Sequence, residues 1–216
     1  MTKKEQVIKA IHMQGPEYVP LMYGKTMDDA DMVNIPVEMH FTGNTKDFSE
    51  WGFQWDYIDR NLTFGQPKES VIKTWDDLKY YKAPDAFDQT RFSAIKEARE
   101  RYGKDRYYKA NFVLTGFSMM TMLRGFNNLL EDIYLKLEEF EKLADIVFGF
   151  EEDIIRQLKG YGFDALHPME VKAGINPEEI KIKYGIDLVL NGGFNAVLWN
   201  DLEAIKAEMY RLLPVL

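Results

Sequence analysis

Apolar residues along the chain alternate between helical spacing and short strand-like runs, which predicts alternating helices and strands. Apolar side chains recur every three or four residues in Thr2 to His12 and in Gln89 to Tyr102. Two other runs are apolar and rich in residues that favour strands, Tyr18 to Met22 and Tyr107 to Leu114. The first half of the chain is therefore predicted to contain two helix–strand units.

A helical pattern dominates the middle of the chain, from Met119 to Lys159. We expect it to be broken near Gly125 and between Leu135 and Glu138, where the apolar spacing is interrupted. The segment from Lys25 to Gln66 lacks either period and contains turn residues between its aromatic residues. We interpret it as an irregular excursion with a hairpin.

The stretch that follows predicts a complete strand–helix–strand unit. Its first apolar run, Phe163 to Leu166, ends at a proline-containing loop, because proline cannot donate to a sheet. Asn176 then precedes a proline and two acidic residues, which is typical of a capped helix start, and the helix should end near Tyr184. The second run, Ile186 to Leu190, ends in Asn-Gly-Gly.

Strands joined through helices in this way are expected to be parallel and to lie in one sheet. The segments predicted to form it are Tyr18–Met22, Asn111–Leu114, Phe163–Leu166 and Asp187–Leu190. Ligands bind at the carboxyl edge of such sheets, so the polar residues that follow each strand are the candidate site. We predict His167 and Glu170 as catalytic residues, and as substrate-binding residues Tyr23, Thr115, Asn191, Gly192, Gly193 and Asn195.

Each candidate also has a structural interpretation. His167 could be a hydrogen-bonded loop residue, and Glu170 could brace a neighbouring element instead of acting as a general base. The Asn-Gly-Gly sequence could let backbone N–H groups approach a ligand, or it could be an ordinary turn. Trp51 and Trp55 could line a flat ligand, although a core beneath the excursion is the simpler interpretation.

Composition narrows the class of protein. A net charge of −8 without a basic stripe disfavours a nucleic-acid partner. No run approaches 18 apolar residues, and the first residues lack the apolar segment of a signal peptide, so we expect no membrane span and a cytoplasmic protein. The absence of cysteine removes thiolate nucleophiles and Cys-ligated metals, and no metal site is predicted.

Several motifs occur in a consistent order along the chain: YVPL (Tyr18–Leu21), TGFSMM with LRGFNNLLEDIYL (Thr115–Leu135), GYGFDAL (Gly160–Leu166), HPMEVKAG (His167–Gly174) and KYGIDLVLNGGFNAVL (Lys183–Leu198). Together they resemble the uroporphyrinogen decarboxylase superfamily, which includes that decarboxylase and the corrinoid-dependent methyltransferases. The resemblance implies an α/β fold of the (β/α)8 TIM-barrel type, as a single domain over 1–216 that includes the excursion at 25–66.

The chain departs from this family in length. It offers about five convincing strands, whereas the barrel has eight. Family members have further βα units where Asp164 here runs directly into Ala165, and they continue beyond the position of Leu216. We therefore expect an incomplete barrel with a junction at Asp164–Ala165.

The resemblance implies one of two activities. The first is movement of a methyl group between a corrinoid and a small acceptor, and the alternative is uroporphyrinogen decarboxylation in tetrapyrrole biosynthesis. We favour the methyltransferase-like branch, because Pro20 to Asp31 lacks the arginine-rich substrate motif of the decarboxylases. An acidic chain would also attract a polycarboxylate poorly.

The family also implies zinc and a corrinoid-protein partner. Its methyltransferases hold zinc through His and Cys, and this sequence has no Cys. Weak or absent activity is therefore expected, and the cofactor stays open. A third alternative is a non-catalytic shortened protein that binds a small molecule, a tetrapyrrole or a partner. Its open sheet edges would be covered by that partner or by a homo-oligomer.

Overall fold

The computed structural model describes residues 1–22, 28–37, 40–42, 47–57, 65–111, 114–163, 165–169, 176–184, 189–192, 195–212 and 214. The chain forms two compact units, Met1–Tyr161 and Gly162–Leu216. The single domain predicted over 1–216 spans both.

The helices of the N-terminal unit are α1 (Lys3–Ile11), α2 (Ser93–Tyr102), α3 (Gly116–Arg124), α4 (Phe126–Leu135) and α5 (Leu137–Gly160), with 3₁₀ turns at Asp77–Lys79 and Gln89–Phe92. Its strands are β1 (Met32–Pro36), β2 (Phe41–Thr42), β3 (Phe48–Ser49), β4 (Trp55–Asp56), β5 (Gln66–Pro67) and β6 (Tyr107–Asn111). A capping box starts α1, because the Thr2 hydroxyl accepts from the Glu5 N–H at 3.1 Å and the Glu5 carboxylate accepts from the Thr2 N–H at 2.8 Å. The helix predicted at 2–12 is confirmed.

β1 and β6 form a parallel pair, with Met32 opposite Tyr107 and Pro36 opposite Asn111. Alternate residues of the first strand are buried, namely Val33, Ile35 and the following Val37. α1 and α2 pack against this strand. The strand lies within the segment that the sequence analysis predicts to be irregular, so that prediction is wrong for residues 32–36, where Asn34 and Pro36 alternate with the buried Val33, Ile35 and Val37.

Residues 18–22, which the sequence predicts as the first strand, do not form one, and that prediction is wrong. Asp31, which is 1% exposed, holds this segment instead. Its carboxylate accepts from the Tyr18 hydroxyl and from the Leu21 N–H, both at 2.7 Å, and its own N–H donates to the Leu21 carbonyl at 2.8 Å. Pro20 lacks the N–H that a ladder position needs, so a side-chain anchor replaces strand pairing.

The long helical tract divides into three helices, as its sequence predicts, with breaks at Gly125 and Lys136. Gly125 has a φ of 86°. At the first break the Arg124 Nε donates to Asp132 Oδ2 at 2.8 Å, and its Nη1 donates to the Lys73 carbonyl at 2.6 Å. The Arg124 guanidinium carbon lies 4.9 Å from the centroid of the Trp75 ring, and the Trp75 Nε1–H donates to Asp132 Oδ1 at 3.2 Å. The LRGF motif therefore ties the loop before α2 to α3 and α4.

The aromatic residues of the excursion form core. Trp51, Phe53 and Trp55 are at most 5% exposed, and the Phe53 and Trp55 ring centroids lie 5.8 Å apart. The strands around them pair antiparallel, β2 with β3 and β4 with β5. This arrangement fits the predicted hairpin and the core interpretation of the two tryptophans.

The C-terminal unit contains β7 (Ala165–Met169), α6 (Pro177–Tyr184), β8 (Val189–Gly192), a 3₁₀ helix at Ala196–Asn200 and α7 (Leu202–Leu212). β7 and β8 are parallel, and α6 lies between them in sequence. The Asn176 side chain accepts from the Glu178 N–H at 3.1 Å, so α6 starts at the predicted proline with the predicted cap. β7 continues through His167 and Pro168 to Met169, and β8 continues through Asn191 to Gly192, so the predicted ends of both strands at Leu166 and Leu190 are wrong, because strand pairing extends beyond the apolar runs.

The described strands form two-stranded sheets, in which β1 pairs with β6 and β7 pairs with β8. The parallel pairing of the last two predicted strands is confirmed. The prediction of one sheet containing all four strands is wrong for the described residues, because β6 takes β1 as its neighbour. The described part of the chain is a mixed α/β structure with few strands, and these do not close a barrel.

None of the helices in the described part of the chain combines the length and the apolar content needed to cross a membrane.

Gly125→Ala should lower the free energy of unfolding by about 1–3 kcal/mol, because a side chain is strained at positive φ. Its Cβ would also lie 2.7 Å from the Ser70 Oγ. The matched control is Gly149→Ala within α5, where a Cβ meets nothing within 4 Å and should raise stability by roughly 0.5–1 kcal/mol. Urea denaturation measures both variants. Equal effects of the two substitutions would contradict the assigned break at Gly125.

Candidate functional site

The carboxyl ends of β7 and β8 lie side by side, because Met169 is opposite Gly192 in the parallel register. His167 lies within β7, between the paired residues Leu166 and Met169, where the register shifts. Asn191 lies one residue before the end of β8. The C-terminal unit thus brings three predicted site residues, His167, Asn191 and Gly192, to the same end of one strand pair.

Asn195 follows β8 and joins it to α7. Its side-chain oxygen accepts from the Val197 N–H at 3.1 Å, and its own N–H donates to the Glu208 carboxylate at 3.1 Å. Arg211 reaches from α7 to Glu178 on α6 at 2.6 Å. These bonds hold Asn195 to α7 and join α7 to α6, and the Asn195 side-chain oxygen caps the 3₁₀ helix that follows.

Tyr23, Glu170 and Gly193 lie outside the described residues. Thr115 belongs to the N-terminal unit, where it follows β6 and starts α3. Its backbone is extended, with a φ of −130° and a ψ of 160°, as expected for an N-cap residue. Its side chain makes no capping hydrogen bond, so the hydroxyl is not consumed by the helix.

Glu151 of α5 caps the start of α3 in place of Thr115. Its Oε1 accepts from the Gly116 N–H at 2.5 Å, and a Cβ on Gly116 would lie 3.0 Å from the Phe148 ring. Burial raises the pKa of the Glu151 carboxyl above its usual 4.5, while the hydrogen bond from Gly116 opposes that rise. A half-buried acid therefore stands beside Thr115 at the carboxyl end of β6.

A second assembly at the end of β1 centres on an ion pair between Arg91 and Glu50. The guanidinium donates to both carboxylate oxygens, at 2.7 and 2.6 Å, and further to the carbonyls of Asp85 at 3.2 Å and Val37 at 3.4 Å. The Arg91 side chain is fully buried, whereas 14% of the Glu50 side chain is exposed. Bidentate geometry of this kind is the strongest form of a charge-assisted pair.

Aromatic residues enclose this pair. The Phe150 ring lies 5.1 Å from the guanidinium carbon and meets Trp51 edge-on, with ring centroids 4.8 Å apart. The Tyr81 hydroxyl donates to the Trp51 carbonyl at 3.1 Å, and burial, reinforced by the Glu50 carboxylate, raises its pKa. Phe150 precedes Glu151 in α5, so the Arg91 assembly and the Thr115 cap share one helix.

The sequence pattern contains little that marks these residues in advance. Arg91 follows an ordinary helix start, and Glu50 lies next to a tryptophan that the pattern assigns to core. Glu151 belongs to an acidic helix whose neighbours Glu152 and Asp153 resemble it in sequence. Burial alone distinguishes them, and burial depends on segments distant in the chain.

The residues present do not fit the zinc that the resemblance implies. The chain has no cysteine, and among the described residues no group of three His, Asp or Glu side chains could hold a metal ion. Two surface grooves are lined by other residues. One of about 260 Å³ lies between β1 and α2, and one of about 520 Å³ lies between Trp75 and α5.

Neither family models nor curated proteins nor solved structures gave a match to this chain.

Glu50→Gln should lower the free energy of unfolding by about 3 kcal/mol, because it leaves the buried Arg91 guanidinium without its counter-charge. The control is Glu69→Gln, which removes an exposed pair with Lys73 and should leave the urea midpoint unchanged. Chemical denaturation of both variants at pH 7 and moderate salt is the measurement. A Glu50→Gln midpoint equal to that of the wild type would show that Arg91 is compensated in another way.

Proposed function

We propose that this chain is a shortened member of the uroporphyrinogen decarboxylase superfamily, of (β/α)8 type and related to its corrinoid-dependent methyltransferases. In this proposal it is a cytoplasmic protein that binds a corrinoid at the carboxyl edge of its parallel strands. Movement of the methyl group between the corrinoid and a small acceptor is the activity of the branch to which it is related.

The observation that carries the proposal is the β7–α6–β8 unit. The stretch from Ala165 to Gly192 overlaps motifs that carry the resemblance, and it contains the parallel strands β7 and β8 with α6 between them in sequence, with His167, Asn191 and Gly192 on these strands. The carboxyl edge of such strands is where ligands bind in (β/α)8 proteins. This observation supports the fold and not the identity of the ligand, which experiment must therefore test.

The chemistry of the edge favours a corrinoid over a uroporphyrinogen. A corrin ring carries neutral carboxamide side chains, which can donate to a carboxylate and accept from an imidazole or an amide. Uroporphyrinogen carries carboxylates, which a chain of net charge −8 would repel. Glu170 and His167 are the residues to which we assign these hydrogen bonds, with Asn195 and the Asn191–Gly193 backbone as further contacts.

A non-catalytic role in binding is the second candidate. The boundary between the two compact units, at Tyr161–Gly162, lies within three residues of the Asp164–Ala165 junction predicted from the sequence. A boundary at that place is expected if two parts of a longer barrel are joined there. In that case the chain would retain the corrinoid edge and lack the groups that activate a methyl acceptor.

Hydroxocobalamin is the probe that tests the proposal. Titration into the protein, followed by calorimetry and absorbance, should give saturable binding that uroporphyrin III does not reproduce. Tighter binding of uroporphyrin III would favour the decarboxylase branch. Failure of both probes to bind would overturn the proposed ligand class.

Glu170→Gln should weaken hydroxocobalamin binding about tenfold, which corresponds to one lost charge-assisted hydrogen bond, and should change the melting temperature little. Glu179→Gln on the exposed surface of α6 is the matched control and should bind normally. If Glu170→Gln instead lowers the melting temperature sharply and leaves the affinity intact, Glu170 is a brace and the edge loses its main carboxylate.

The purified protein should contain no stoichiometric zinc after dialysis and should show little methyl transfer or decarboxylation. Thiolate ligands are absent from the sequence, and loss of one member of a cooperative site typically lowers the rate by orders of magnitude. Elemental analysis and single-turnover assays with methylcobalamin measure these two properties. One zinc ion per chain would contradict the prediction directly.

A further inference from the structure

The outer face of α4 and the break that follows it expose a row of large apolar side chains. The residues of this apolar stripe are Phe126, Leu130, Tyr134, Leu135 and Leu137. Each of them is between 40% and 88% exposed. The first three recur every four residues, which places them on one face of the helix. The other side of α4 packs against α3 and α5 and buries Leu129 and Asp132.

The stripe is large for a surface that stays in water. Aromatic side chains present about 150–250 Å² each, so at these exposed fractions the stripe leaves roughly 500–600 Å² of largely apolar surface. This is the upper end of the size of the largest apolar patch on a typical monomer. Two copies that cover each other's stripe would bury roughly 1,000–1,200 Å² in total, which is the lower limit for a specific interface. The stripe alone therefore provides enough area for a weak dimer.

The order of the side chains along the stripe is self-complementary. Phe126 and Tyr134 lie four residues on either side of Leu130. In an antiparallel pair of α4 helices with a two-fold axis beside Leu130, Phe126 would lie opposite the partner's Tyr134. Leu130 would then meet the partner's Leu130. A two-fold interface requires this reciprocity, because the same patch must fit itself, and the aromatic pairs at both ends add to the stability.

The charges beside the stripe favour a second copy over an anionic partner. Glu131, Glu138 and Glu139 outnumber Lys136 there, and the chain carries a net charge of −8. Acidic residues repel anionic lipid headgroups and the phosphates of nucleic acids. The stripe itself carries no charge, so a second copy can cover it without burying an unpaired ion.

We propose that the apolar stripe is a self-association surface, through which two copies of this chain pair their α4 helices antiparallel about a two-fold axis at Leu130. The stripe lies entirely within the N-terminal unit, so the inference is independent of the ligand proposed for the edge of β7 and β8. It also differs from pairing through open strand edges, because side chains of a helix form the contact. The dimer should be weak and reversible, since its area is at the lower limit for a specific interface.

Sedimentation velocity over a range of protein concentrations tests the association. The wild type should show a reversible monomer–dimer equilibrium. Leu130→Glu should raise the dissociation constant about tenfold or more, because it places two charges at the centre of the interface. Tyr134→Ser should also weaken the dimer. The matched control is Tyr80→Ser, which removes a tyrosine that is 84% exposed in another segment and should leave the equilibrium unchanged.

These positions are exposed, so the melting temperatures of the variants should stay close to that of the wild type. A wild type that stays monomeric at its highest soluble concentration would overturn the proposal. Association that survives Leu130→Glu would also overturn it, because the interface would then lie elsewhere. Binding of the monomer to zwitterionic liposomes, lost in Tyr134→Ser, would assign the stripe to a lipid surface instead.

The absence of cysteine from the chain allows the two-fold axis to be located directly. Leu130→Cys should give a disulfide-linked dimer under mild oxidation, because a disulfide requires the two Cα atoms to be close, as they are beside the axis. A mixture of Phe126→Cys and Tyr134→Cys should form the mixed dimer in preference to either homodimer. Tyr80→Cys is the control and should form no disulfide-linked dimer. Efficient cross-linking of Tyr134→Cys to itself would contradict the antiparallel pairing and overturn the proposed interface.

Discussion

The buried guanidinium of Arg91 is the constraint on which the N-terminal unit depends. It meets the Glu50 carboxylate beside β3, the Val37 carbonyl after β1, the Asp85 carbonyl before α2 and the Phe150 ring on α5. Irregular segments have backbone carbonyls without ladder partners, and burying those carbonyls is costly unless a donor reaches them. One side chain with five N–H donors satisfies several at once, which allows a long non-repetitive segment to pack against a helix and a strand.

Arg124, at the end of α3, also donates to backbone carbonyls of an irregular segment. It donates to the carbonyls of Ile72 and Lys73 as well as to Asp132, so the loop that carries Trp75 is tied to α3 and α4. In both places the positive charge is paired with a carboxylate and shared with backbone oxygens. Removing the carboxylate therefore costs more than one contact, because the charge that remains is buried. These two arginines tie together segments that no continuous sheet connects in the described part of the chain.

Residues that follow β8 and β6 are likewise held by side chains of other helices. In the C-terminal unit, the Asn195 N–H donates to Glu208 of α7, and Arg211 of α7 pairs with Glu178 of α6. In the N-terminal unit, Glu151 performs the capping that Thr115 would otherwise perform.

Features determined by neighbours in sequence were predictable, and features determined by distant contacts were not. Capping residues and apolar spacing act within one or two turns, so the starts of α1 and α6 and the breaks at Gly125 and Lys136 follow from the sequence alone. The position of the first strand depended on Asp31, which binds Tyr18 and Leu21 and leaves residues 32–36 to pair with β6. At the candidate site, the local pattern predicted His167 and Asn191 in loops after their strands, whereas the structure includes both residues within β7 and β8. Only the tertiary structure identified Glu50, Arg91 and Glu151, because the burial that gives these charges their importance comes from segments tens of residues away.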